Sequence, residues 1–386
     1  MLIFIIIYYI IIKSNFLEKN DSYMKENNDL IILKRYDKYE NIKSHFYNDF
    51  FFRPFLDEVK IISYIYNKKY KLKSKTITNT NVHISFSFNS NYLYQILVLA
   101  KSILINSNSE KTFMSFHFLC TPDVNQNNIN VLKTLIMNQT ANAELIFYNM
   151  SNCFINYKTE RYSQATYYRL ILPIIINTRK ITVLFIYLDA DTLALKDITE
   201  MYKLKLNDNY ALGFFDYQKG YRREKRTKKY INVGIMLLNL EKIREDKKTY
   251  DLLNMTINGT KLPKQDQTII NYSFYPKIGI LPIKYGIWNF QNNFELMKFT
   301  KKLKQKINIT EFIDALENPS LLHNVRCNPK IWFSNYKYRG IHNLEFKRFH
   351  NLWYEYASKT KYFNEIKELY NVSLKFTIIL IYIFYC

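Results

Sequence analysis

Apolar and polar residues alternate in period two from Val82 to Phe88 (Val-His-Ile-Ser-Phe-Ser-Phe), which predicts a first strand. The turn Asn89-Ser90-Asn91-Tyr92 follows, and Tyr94 to Ile105 reads as an apolar helix. The alternation then repeats, with a strand from Phe113 to Cys120, a helix over 128–137 and a strand from Ala143 to Tyr148. Arg161 to Pro173 has helical spacing and leads into Val-Leu-Phe-Ile-Tyr-Leu-Asp-Ala-Asp, residues 183–191. That run is short, rich in β-branched and aromatic side chains, and without helical period. Such a run predicts a strand buried on both faces of a parallel sheet. Asp197-Ile-Thr-Glu200 fits a capping box that opens a further helix. Residues 219–229 are a Gly-and-charge loop, and Ile231 to Leu240 is another buried strand. Lys277 to Trp288 gives one more strand, and Leu321 to Trp332 is the last informative stretch. Strands alternating with helices predict an α/β fold built on a doubly wound sheet.

The flanks break this rhythm. Leu2 to Ile12 is unbroken Ile, Leu, Phe and Tyr, shorter than the roughly 20 residues of a spanning helix and matching a signal-peptide core in length. No basic segment precedes it and no small-x-small cleavage site follows, so a signal-anchor, a cleaved signal and a wrongly assigned start all fit. Residues 1–13 are therefore expected to be a hydrophobic signal or signal-anchor segment. This would direct the chain to the secretory pathway, at a Golgi or endoplasmic reticulum membrane, or leave it cytoplasmic if the segment is not a signal. Residues 14–80 mix charged clusters with Phe50, Phe51, Phe52 and Phe55 and read as a stem or a helical extension packed on the main domain. The main domain then runs over 81–345, and 346–386 is a helical and apolar tail whose Leu374 to Tyr385 is again too short to span.

The chain carries 55 basic and 33 acidic residues, a formal charge of +22. A balance of that size is compatible with nucleic acid, anionic membrane or phosphorylated ligands. The excess of Lys, Asn, Ile, Tyr and Phe runs along the whole chain, as an A+T-rich genome would produce. With no Arg-rich or RNP-like motif, nucleic acid is not expected as a partner. Cys120, Cys153, Cys327 and Cys386 are scattered without a C-x-x-C pair, which argues against a zinc site, and they are too few for a disulfide framework.

Chemistry is expected where the 183–191 strand stops at two carboxylates, Asp189 and Asp191. Ligands of open α/β sheets bind beyond the carboxyl ends of the strands. Two hard oxygen donors two residues apart can share a divalent cation whose other ligands come from substrate phosphates. Alone, such a pair more often marks two solvated aspartates.

Its company changes the reading. Thr166-Tyr-Tyr-Arg-Leu-Ile-Leu-Pro173, Tyr187-Leu-Asp-Ala-Asp-Thr192, Asn232-Val-Gly-Ile-Met-Leu-Leu-Asn239 and Gln265-Asp-Gln-Thr-Ile-Ile-Asn271 resemble, in order and spacing, motifs of glycosyltransferase family 8. Leu281-Pro282 with Trp288-Asn289, and His323 near Lys330 and Trp332, extend the resemblance over roughly residues 82–335. The resemblance implies a Rossmann-like nucleotide-sugar-binding fold of the GT-A type. It also implies manganese as cofactor and transfer from a UDP-sugar to a glycan or glycoconjugate acceptor with retention of configuration.

Residue by residue, it implies Asp189, Asp191 and His323 as metal ligands, a donor set that suits manganese better than zinc or calcium. It assigns Asn91 and Tyr92 to the base, with the Tyr92 ring stacked on uracil. Asn89 stands where many relatives carry aspartate, and its amide can still bond a uracil edge. Arg169 would grip the donor diphosphate or ribose with its guanidinium fork. Asn232, Asp266 and Gln267 match positions that contact the transferred sugar, while Asp266 has a helix N-cap as its plain structural alternative. Retention then proceeds either by front-face departure and attack or through a short-lived adduct with Gln267 or Asp266. One region departs from the family pattern: Arg326 occupies the usual glycine's place, and Lys330 sits one residue late. A side chain there conflicts with backbone approach to a phosphate unless the loop bulges or Arg326 itself serves the phosphate. The competing reading is an inactive relative that binds glycan or nucleotide.

Overall fold

The computed structural model describes residues 22–26, 30–37, 60–67, 80–107, 112–137, 143–150, 153–154, 163–176, 184–216, 230–258, 265–288, 309–325, 330–333 and 344–370. The expected signal segment, the 219–229 loop, Arg326 and the apolar run after Leu374 lie outside them. Ser22–Glu26 (β1), Leu30–Asp37 (β2) and Lys60–Asn67 (β3) form an antiparallel meander whose last strand pairs with Ala143–Asn149. The described parts of 14–80 are thus strand, where a stem or helical extension was expected. Each run is long enough to pair, and the free edge of the central sheet supplies the partner.

The predicted alternation follows: Thr80–Phe88 (β4), Leu93–Asn106 (α1), Thr112–Cys120 (β5), Gln126–Met137 (α2) and Ala143–Asn149 (β6). The stretch expected as one helix from Arg161 to Pro173 is instead a 3-10 turn series over Gln164–Ile171 and a short helix Leu172–Ile175 (α3). Ser163 caps the first by accepting from the Ala165 amide, and Pro173 falls at the start of the second, where its missing N–H leaves no bond unmade. Leu184–Leu188 (β7) returns to the other side of β4, so β6, β5, β4 and β7 lie side by side and parallel. The order reverses between β4 and β7, and the crevice beyond their carboxyl ends is where such sheets bind ligands.

After Thr192–Ala194 (β8) come a 3-10 turn over Ile198–Lys203, capped by Asp197 accepting from Thr199, and Ala211–Phe215 (β9). Ile231–Asn239 (β10) then inserts between β7 and β9, antiparallel to both. β7 is therefore parallel to its neighbour on one side only, contrary to the all-parallel expectation for residues 183–191. Its apolar character reflects burial on both faces, which an antiparallel neighbour provides equally well. Leu240–Glu245 (α4), Lys248–Asn258 (α5) and Gln265–Phe274 (α6) follow. The stretch expected as one strand from Lys277 to Trp288 is divided: Ile278–Ile280 (β11) closes the ten-stranded sheet, while Ile287–Trp288 (β12) joins a small second sheet. Pro282 opens a 3-10 turn between them and interrupts the strand. Ile309–Glu317 (α7), Leu321–His323 (β13), Leu344–Ser358 (α8) and helical residues 363–370 complete the described chain.

Alternate side chains of the central strands feed separate cores. Phe86, Phe116 and Phe118 stack on one face, with α1 and α2, while Phe185, Tyr187, Met236 and Leu238 pack on the other. A third cluster joins the small sheet to α7 and α8 through Trp288, Phe312, Trp332 and Trp353. His83 and His117 are core residues: His83 Nδ1 lies 3.0 Å from His117 Nε2, and His117 Nδ1 lies 2.9 Å from the Tyr148 hydroxyl. Burial pushes His83 down to about 4, so it is neutral at physiological pH. Among the described residues, no helix is long and apolar enough to cross a membrane.

Candidate active site

At the end of β7 the chain turns through Asp189, Ala190 and Asp191 into β8, which pairs with β13 and sets His323 opposite Thr192. Asp189, Asp191 and His323 each offer a ligand atom, all within 4.8 Å of one another. His323 Nε2 lies 3.2 Å from Asp191 Oδ1 and 3.9 Å from Asp189 Oδ2. Its Nδ1 is buried without a partner. A hard, oxygen-rich set with one imidazole fits a divalent cation such as manganese.

Gly234, which the sequence reading did not single out, makes this proximity possible. A Cβ there would collide with His323 Cε1 and stand 2.5 Å from Asp189 Oδ2, and the Gly234 carbonyl accepts from the Asp189 amide at 2.7 Å. The signal was the lone glycine inside the apolar run Asn232-Val-Gly-Ile, since strand interiors keep glycine where another group comes close. The β9–β10 register shifts between Asn232 and Met236, and the Asn232 side chain folds back to accept from the Gly234 amide at 2.9 Å.

Lys330 donates to Asp191 Oδ2 and to the Asn324 carbonyl, both at 2.7 Å. The extra residue before it thus does not carry its ammonium away from the site. Burial works against ionised Asp191, but Lys330 and then His323 hold its carboxyl well below the usual carboxylate range.

Arg169 is buried and directed at protein groups. Its guanidinium donates to Asp189 Oδ1 and to the Val233 carbonyl, both at 2.8 Å, and its Nε to the Thr166 carbonyl at 2.9 Å. The same Nε stands 3.2 Å from Asp266 Oδ2, and the Tyr187 ring lies 4.4 Å beneath. Burial opposes the charge, yet Asp189 and the other neighbours more than offset it, leaving Arg169 firmly protonated. The geometry thus gives Arg169 two carboxylates to align, Asp189 and Asp266, because both end within reach of one fork.

Asp266 sits in the first turn of α6 with its carboxyl toward Arg169, so it is not the helix N-cap. Burial pushes it up to about 6, with Arg169 opposing and Asp189 adding to the rise. Gln267 donates to Asp216 Oδ2 at 2.8 Å. Asp216 is fully buried at the end of β9 and was also missed, although Ala211-Leu-Gly-Phe-Phe-Asp216 repeats the signal of Asp189, an apolar strand stopping at a carboxylate.

At the end of β4, Asn89 keeps a buried side-chain oxygen without a partner, Asn91 is exposed, and Tyr92 lies edge-on to Trp332 at 6.4 Å. Burial, then the field of Asp191, raises the Tyr92 phenol, which ties it to the carboxylate cluster. Asp123, unforeseen, accepts from the Ser90 amide at 2.9 Å and from the Ser90 and Thr121 hydroxyls, pinning this turn to the end of β5.

A sequence profile of Glycosyl transferase family 8 matches residues 83–335, which contain every one of these groups. The chain belongs to this family. Among relatives, it is 28% identical over 185 residues to general stress protein A of Bacillus subtilis (strain 168), covering 46% of this chain and 62% of that protein. It is 32% identical over 142 residues to a lipopolysaccharide 1,2-glucosyltransferase of Escherichia coli, covering 34% and 41% respectively. The chain thus spans less than two thirds of the length of either family relative. The fold is that of the galactosyltransferase LgtC, solved with donor and acceptor sugar analogs: TM-score 0.55, 19% identity, 73% of this chain and 96% of that one. The central sheet is accordingly the GT-A type expected from the sequence.

Proposed function

We propose that this family 8 protein is a metal-dependent retaining glycosyltransferase that moves a hexose, galactose or glucose, from a UDP-sugar to a glycan acceptor. The observation that carries the proposal is the meeting of Asp189, Asp191 and His323 at the switch point of the sheet, beside an Arg169-aligned Asp266. Manganese held by those three residues would neutralise charge gathering on the departing diphosphate. Lys330 carries a second positive charge to the same edge and can turn from Asp191 to an incoming phosphate. Asn89, with its unpartnered oxygen, and Tyr92 would receive the uracil. Arg169 holds Asp266 near the metal carboxylates, and Asp216 orients the Gln267 amide, so both α6 side chains are fixed before a sugar arrives. Either could support retention, by steadying front-face attack or as a transient nucleophile. Membrane attachment through residues 1–13 belongs to the same proposal and rests on the apolar run Leu2 to Ile12.

Purified protein should release UDP from UDP-galactose or UDP-glucose in the presence of manganese and stop when the metal is chelated. Nucleotide binding with no hydrolysis or transfer, across a panel of UDP-sugars and acceptors, would favour the non-catalytic reading instead.

A further inference from the structure

Beyond the matched residues 83–335 the chain continues into α8 and the helical residues 363–370. Both are seated on the turn that follows Lys330. The Phe333 amide donates to the Lys330 carbonyl at 3.1 Å and closes that turn. The Tyr354 hydroxyl donates to the Trp332 carbonyl at 2.8 Å, and His350 Nδ1 donates to the Ile331 carbonyl at 2.5 Å. Trp332 packs on Trp353 and Tyr370, with ring centroids 6.1 and 6.5 Å away, and meets Tyr92 edge-on. Two consecutive carbonyls of a four-residue turn are thus held from one helix. The residue that opens the turn delivers its ammonium to Asp191.

We propose that α8 is a positioning element of the active site: through Tyr354 and His350 it holds the 330–333 turn so that Lys330 stands at Asp191 and Trp332 at Tyr92. The inference rests on the metal and donor roles proposed above. It has a consequence of opposite sign for two ligands. Lys330 competes with a cation for Asp191, so loosening the turn should favour the bare metal. The same loosening removes a positive charge and an aromatic support from the donor's edge, so it should disfavour the nucleotide.

The test compares the wild-type chain with Tyr354→Phe and with Tyr354→Phe/His350→Ala. Manganese alone is titrated by electron paramagnetic resonance, UDP at saturating manganese by calorimetry, and thermal unfolding is followed in parallel. Loss of these bonds should tighten manganese binding and weaken UDP binding, each by roughly threefold or more in the double variant. The single Tyr354→Phe change should move both the same way with little change in unfolding temperature. Weakening of both ligands together would assign α8 a merely structural role, and unchanged affinities would remove it from the site; either overturns the proposal. A wild type that binds no manganese would instead defeat the metal reading itself, before any variant is compared.

Discussion

Asp191 accepts from Lys330 at 2.7 Å and has His323 Nε2 3.2 Å from its other oxygen, so its negative charge faces both groups. Asp191→Asn keeps the shape and removes that charge. Manganese affinity and donor hydrolysis should fall by more than the roughly 10–100-fold that follows loss of a supporting partner. Undiminished turnover at saturating manganese would take Asp191 out of the site. Gly234→Ala tests the close approach: its methyl would enter the space of His323 and Asp189. Overpacking of this kind costs about 1–3 kcal/mol, and here it should abolish manganese binding in a protein whose circular dichroism is unchanged. Tyr92→Ala should raise the UDP dissociation constant by roughly tenfold, the scale of lost base–aromatic stacking. Equal affinities by calorimetry would place the base elsewhere.

Elements here act through the side chains that lock them together. Asn271 on α6 is fully buried, and its oxygen accepts from the Ile231 amide at 2.7 Å. Its amide nitrogen donates to the Ile231 and Gln267 carbonyls, both at 2.8 Å. One side chain thus fastens the start of β10 to the turn of α6 that carries Asp266 and Gln267. Asn271→Leu should destabilise the protein by about 1–3 kcal/mol for each polar group left buried and unpaired. Urea unfolding would measure it, and turnover of the folded fraction should fall as well. The element pattern itself was legible where one periodicity ran uninterrupted, as in β4, β5, α1 and β10. It failed at 161–173, where polar residues such as Ser163, Gln164, Thr166 and Arg169 share the helical spacing and the chain winds as 3-10 turns before α3, and at 277–288, where Pro282 divides the run into two short strands.

For the molecule as a whole, Asp266 links the site to stability. Its folded carboxyl titrates at about 6, above the ordinary value of 3.8, so between those values the folded state binds more protons than the unfolded one. Its contribution to stability is therefore greatest in acid, declines as pH rises from about 4 to 6, and is flat above. Ionised Asp266 costs the fold on the order of 2–3 kcal/mol at neutral pH by this linkage. Asp266→Asn should consequently raise the unfolding temperature at pH 7.5 while lowering transfer, and the two proteins should converge below about pH 4. A variant less stable at pH 7.5 would show that the Arg169 pairing outweighs the burial of charge.

The sequence by itself determined the alternation of strands and helices, the two carboxylates at the end of an apolar strand, and the family through its ordered motifs. These are local properties: periodicity, turn chemistry and residue type are written along a few consecutive positions. Only the tertiary structure decided which charges meet. Arg169 faces Asp189 and Asp266, Lys330 reaches Asp191 across a long stretch of chain, and β13 carries His323 to β8. The same holds for the antiparallel entry of β10 and for the early strands β1–β3, whose place depends on a sheet edge formed by distant residues. A side chain's partner is set by competition among all groups that packing brings within reach, and spacing along the chain does not rank them.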